Sequence, residues 1–110
     1  MQTKQHLRKI DDLNKLIANY SKSQYRDDAL FELGNTYVAE KNYDLAIKAY
    51  DQLLSEFKKG SYASKSILRQ GLVYYNTEKD DLAIAKFKKV AAEFPKSPEA
   101  LEAVSTARII

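Results

Sequence analysis

Apolar and polar positions alternate along this chain with a helical period. Ala46, Ala49, Tyr50, Leu53, Leu54 and Phe57 fall at i, i+3, i+4, i+7, i+8 and i+11, which is one face of a helix. Ala29, Leu30, Leu33 and Tyr37 keep the same spacing in the preceding segment. Strict alternation, the mark of a half-buried strand, is absent. Asn42, Ser61 and Asp80 stand where helices are expected to begin, and Ser97-Pro98-Glu99 supplies a cap, a first-position proline and a first-turn acid. Breaks fall near Lys41-Asn42, Lys59-Gly60, Glu78-Lys79 and Pro95. The pattern predicts six helices, near 3–19, 25–40, 43–57, 61–77, 80–93 and 98–109.

Sliding the chain on itself by 37 residues superposes one half on the other. Between 25–57 and 62–94, nine of 33 positions are identical, where composition alone gives about two. The matches include Gly34/Gly71, Tyr37/Tyr74 and the run Asp44-Leu45-Ala46-Ile47 on Asp81-Leu82-Ala83-Ile84. The same shift sets Leu13 on Tyr50, Leu16 on Leu53 and Tyr20 on Phe57, so the N-terminal segment reads as the second half of a repeat. Ala100 falls on Ala63 and Val104 on Ile67, as the first half of another, with Arg108 where the full repeats carry glycine. The organisation expected is one array over 1–110: half repeat 1–24, repeats 25–60 and 61–97, half repeat 98–110.

Composition narrows the function classes. Hydrophobic residues make up 45% of the 110, enough for a core despite 30% charged residues. Three glycines and two prolines are too few for a turn-rich β sandwich. The net charge of +3 is spread among interleaved acids and bases and does not by itself indicate nucleic acid or a membrane surface. No apolar run approaches the ~20 residues of a membrane span. Met1 to His6 lacks the apolar centre of a signal peptide. Without cysteine there is no disulfide, thiolate metal site or cysteine nucleophile.

Helix pairs repeating at this length, with small residues at fixed places, resemble the tetratricopeptide repeat, whose pattern is 34 residues long. Leu30, Leu33, Gly34, Tyr37, Ala46, Tyr50 and Leu53 match that pattern in the first full repeat. Ile67, Gly71, Tyr74, Ala83, Phe87, Val90 and Pro95 match it in the second. Gln70, in place of the usual Leu, Lys58, in place of the usual Pro, and three extra residues between repeats depart from it. The resemblance implies an all-α right-handed superhelix of antiparallel helix pairs and a non-catalytic scaffold that binds protein or peptide ligands. Gly34 and Gly71 are then the close-contact positions facing the second helices, and Gly71→Leu is expected to overpack. Phe94-Pro95-Lys96-Ser97-Pro98-Glu99-Ala100 is similar to the inter-repeat linker of bacterial cell-envelope members, which points to the periplasm or cell envelope for the parent protein.

Candidate chemistry is sparse. His6 is the only histidine and is read as a surface residue of a mobile N-terminal turn. The acid pairs Asp11-Asp12, Asp27-Asp28 and Asp80-Asp81 have no calcium-loop spacing and read as residues of helix starts that complement the dipole. No phosphate-cradling glycine loop is present, so neither enzyme activity nor a cofactor, metal or small-molecule substrate is expected. Lys86-Phe87-Lys88-Lys89 lies mid-helix around a core aromatic and reads as a solvated face. The rival class is a helical repeat that reads nucleic acid, but no base-reading polar pair recurs at the 37-residue shift. A third alternative is a structural spacer within a longer array.

By the same resemblance, first helices line a concave groove. The positions that face it correspond to Asp28, Phe31, Glu32, Asn35, Val38 and Ala39, then to Lys65, Leu68, Arg69, Leu72, Tyr75 and Asn76. Leu68, Leu72 and Tyr75 form an apolar stripe separate from the packing stripe Ile67, Gly71 and Tyr74, so that helix has two apolar faces to cover. A clamp for a partner's C-terminal carboxylate is not matched, because only Asn35 is kept while Phe31, Arg69, Glu102 and Thr106 stand near its other positions. The apolar end, Val104, Ala107, Ile109 and Ile110, suggests a piece of a longer array that self-associates through its C-terminal helix. The expected contact is that helix with a copy of itself or with another molecule's groove stripe, exchange of a terminal helix being a variant.

Overall fold

The computed structural model describes residues 4–21 and 23–110. Among them are six helices and no strand: α1 (Lys4–Asn19), α2 (Gln24–Ala39), α3 (Tyr43–Glu56), α4 (Ala63–Asn76), α5 (Asp80–Glu93) and α6 (Pro98–Ile109). Each expected helix is present. Residue 3 of the first expected span lies outside the described residues. The largest difference is at α4, which starts at Ala63 because Ser61 and Tyr62 form a turn. Two compact units result, Met1–Tyr62 with α1 to α3 and Ala63–Ile110 with α4 to α6.

In the first unit α2 packs on both α1 and α3. One core joins Leu30 and Phe31 of α2 to Ala46, Tyr50 and Leu53 of α3. A second joins Leu13 of α1, Ala29 and Leu33 of α2, and Ala49 of α3. Arg26, in the first turn of α2, ties all three helices. Its Nε donates to Glu56 Oε1 at 2.5 Å and its Nη2 to Glu56 Oε2 at 3.0 Å. Its Nη1 donates to the carbonyl of Ile17, in the last turn of α1 and without a partner within that helix, and to that of Tyr20 just past the helix end. His6 departs from expectation: it sits in the first turn of α1 and pairs with Glu40, whose side chain is buried.

In the second unit α4 packs on α5, and α6 packs on both. Within each repeat the two helices cross in the same way. A Cβ on Gly71 would lie 2.5 Å from the Phe87 ring, and one on Gly34 would sit still nearer the Tyr50 ring. Each glycine therefore lets an aromatic of the second helix rest on the backbone of the first. Ser66 and Gln70 stand where the first repeat has Ala29 and Leu33, and both are fully buried.

Helix ends divide between expected and unexpected devices. Ser97 caps α6, accepting from the Ala100 N–H at 3.1 Å. Ser23, which the pattern did not single out, caps α2 by accepting from Arg26 N–H at 3.3 Å. Asn42 occupies the cap position of α3 but makes no side-chain cap bond, and Lys79 rather than Asp80 occupies that of α5. Asp80 and Asp81 instead lie in the first turn, where their charge meets the helix dipole. Asp11-Asp12 lies mid-helix in α1, away from any start.

The C-termini of α2 and α4 share a motif at the 37-residue shift. Asn42 N–H reaches Tyr37 O at 2.8 Å and Lys41 N–H reaches Val38 O at 2.9 Å; Lys79 to Tyr74 and Glu78 to Tyr75 repeat the pair at 2.8 and 3.1 Å. This geometry needs a left-handed residue, and Lys41 (φ 60°) and Glu78 (φ 63°) adopt it without being glycine. A left-handed side-chain residue carries about 1–2 kcal/mol of strain. Lys41→Gly and Glu78→Gly should therefore each raise the stability by up to about 1 kcal/mol after glycine's entropy cost, read as a higher midpoint in chemical denaturation.

Candidate functional site

The expected groove positions of α2 are largely engaged within their own unit. Phe31 is buried, stacked on Tyr62 at 4.5 Å between ring centroids and tilted against Tyr50 at 6.2 Å. Glu32 receives Lys9 Nζ at 2.9 Å. Asp28 accepts from Gln24 Nε2 at 3.0 Å and from the Tyr62 hydroxyl, whose pKa is raised by that bond first and by burial second. Asn35 Oδ1 accepts from Tyr50 Oη at 2.5 Å. Val38 is half-buried against the core and Ala39 is exposed at the end of α2.

Beside Asp28, Asp27 is 2% exposed and its Oδ1 has no hydrogen-bond partner among the described residues. Burial, and then the charge of Asp28, raises its pKa above the ordinary 3.8. The folded state thus holds the proton to higher pH than the unfolded chain does. Stability should fall as pH rises from about the ordinary value through the raised one. Asp27→Asn should flatten that slope and raise the thermal midpoint at neutral pH, as melts across an acid-to-neutral series would record.

The α4 positions come together differently. Lys65, Leu68, Arg69 and Leu72 line a recess of about 210 Å³ closed on its other side by Glu99 and Glu102 of α6. Ser64 Oγ donates to Glu99 Oε1 at 2.9 Å and fixes that wall. Leu68 is buried and Leu72 half-buried, so they form an apolar floor between a basic and an acidic wall. Tyr75 is half-buried and Asn76 exposed further along α4, outside the recess lining. Glu99 and Glu102 were absent from the expected groove, although the shift sets Glu102 on Lys65 and so marks it as a groove position.

The contrast between the two sets has a cause in the core. Tyr50 in the first repeat becomes Phe87 in the second, and Asn35 becomes Leu72, both at the 37-residue shift. The buried Tyr50 hydroxyl requires a partner and Asn35 supplies it. Phe87 has no hydroxyl to satisfy, which leaves the Leu72 position open to an apolar side chain. The exchange of a polar pair for an apolar one makes the α4 surface the stickier of the two.

Among the described residues no group of three or more His, Cys, Asp or Glu side chains could hold a metal ion. No helix among them is long and apolar enough to cross a membrane. Paired helices with a glycine-and-aromatic crossing recurring at a fixed shift define an all-α helical-repeat protein. A tetratricopeptide repeat family model matches residues 11–66 and again 31–98, and the chain belongs to that family. No curated protein matches the chain significantly. Membership makes it a protein–protein interaction module of a family that is in general a non-catalytic scaffold.

Proposed function

We propose that this chain is a non-catalytic scaffold that binds a partner peptide or helix, and that the recess between α4 and α6 is the contact. The observation that carries this is the floor of Leu68 and Leu72 between Lys65 and Arg69 on one side and Glu99 and Glu102 on the other. An apolar anchor gives affinity there, while the opposed charges select its neighbours and orient the backbone. Tyr75 and Asn76 extend the surface along α4. Asp28, Phe31, Glu32, Asn35 and Val38 serve the first repeat mainly as packing and positioning residues. The 37-residue register runs from α1 through α6, which supports reading 1–110 as one array. The linker 94–100 supports the periplasm or cell envelope as the location. We infer further that the C-terminal helix α6 is a surface for self-association.

The test is selection from a displayed peptide library, with single-stranded RNA as a second ligand class. Enriched peptides should share one apolar residue flanked by charges of both signs. RNA should bind weakly and lose affinity steeply with salt. Submicromolar RNA binding with base preference at physiological salt would move the chain to the nucleic-acid class, and no enriched peptide would favour a structural spacer.

A further inference from the structure

A second recess, of about 260 Å³ and almost wholly apolar, lies between α5 and α6. Its lining includes Phe87, Ala91, Ala103, Val104, Ala107 and Arg108. Two successive 37-residue shifts, 74 in all, set these on Leu13, Ile17, Ala29, Leu30, Leu33 and Gly34. The first five of those belong to or pack against the two cores of the first unit, the cores into which α3 places Ala46, Ala49, Tyr50 and Leu53. The α5/α6 recess is therefore the counterpart of the seat that α3 fills. Its shape calls for a helix of the α3 kind.

One such helix in this chain leaves part of its α3-like face exposed. The shift sets α1 on α3, with Leu13 on Tyr50, Leu16 on Leu53 and Tyr20 on Phe57. Leu53 and its second counterpart Val90 are fully buried, whereas Leu16 is 39% and Tyr20 46% exposed. We propose that α1 of a second copy of this chain seats in the α5/α6 recess, joining molecules head to tail. This rests on reading α6 as a self-association surface and names what docks there.

The side chains that differ from an internal pair differ in compensating ways. Arg108 occupies the glycine position, and α1 brings Leu13 there instead of the Tyr50 ring. Ala107 is smaller than Leu33, and α1 brings Asp12 in place of Ala49, the residue that shares a core with Leu33. A carboxylate thus arrives at the register next to Arg108, with Lys88 on the same rim. Lys9, at the register of Ala46, is larger, but its ammonium is drawn toward α2 by Glu32 at 2.9 Å.

A head-to-tail contact uses two different surfaces, so it does not close at a dimer by itself. This gives a test by sedimentation velocity on the 110-residue chain. The unaltered chain should show mass rising with concentration beyond a dimer. Leu16→Lys spoils the docking helix and Ala107→Glu spoils the socket; each variant alone should be monomeric while keeping its helical circular dichroism. Mixed, they retain one good helix and one good socket, and should form a 1:1 dimer that grows no further. Association that survives Leu16→Lys but is lost with Ala107→Glu would overturn the assignment of α1 while leaving α6 a self-association surface. A strictly monomeric parent across the series would overturn both.

Discussion

Gly71→Leu should lower the stability of the chain by about 1–3 kcal/mol or more, with a fall of several degrees in its thermal midpoint. In an exposed helix, glycine to alanine is stabilising by roughly 0.5–1 kcal/mol. Here even the first carbon of a side chain would meet the buried Phe87 ring at 2.5 Å, far inside van der Waals contact, so the ring would have to leave its place on the α4 backbone. The sign therefore reverses: Gly71→Ala should already destabilise, and leucine more so. Gly34→Ala should behave alike against Tyr50. Because the clash is with one ring, Phe87→Leu should make Gly71→Ala less harmful than the sum of the two single changes. A denaturation midpoint unchanged in Gly71→Leu would contradict the close approach at its root.

Much of this fold was legible because it is written twice. A helix period, a glycine and a facing aromatic recurring at 37 residues identify the pairing without coordinates. What the repeat does not duplicate was not legible. Arg26 falls on Ala63, so nothing in the register marks it, yet it holds α1, α2 and α3 together through Glu56 and two backbone carbonyls. His6 lies in the first half repeat with Asp80 two shifts on, and its partner Glu40 on Thr77, so that pair has no recurring signature either. At the candidate site, the stripe Leu68, Leu72 was readable from spacing, but the engagement of Asn35 by the Tyr50 hydroxyl was not. It depends on where one oxygen comes to rest across a helix crossing.

Leu72→Asp should remove partner binding by at least about tenfold, equivalent to ~1.4 kcal/mol. The substituted carboxylate would sit on the apolar floor, where it excludes the anchor and repels acidic neighbours in the ligand. Lys88→Glu, on α5 and away from this recess, should leave peptide affinity unchanged. Charge reversal at Arg69 should alter which flanking residues are preferred more than it alters the anchor. Equal losses from Leu72→Asp and Lys88→Glu would mean that binding does not use the groove.

The most direct measurement is a map of backbone amide chemical shifts as a selected peptide is titrated into the labelled chain. Binding in the α4/α6 recess predicts that perturbations concentrate on Lys65 to Leu72 of α4 and on Glu99 and Glu102 of α6, with α5's Lys88 and Lys89 unmoved. Perturbations centred on α5 or on α1, with α4 silent, would contradict it.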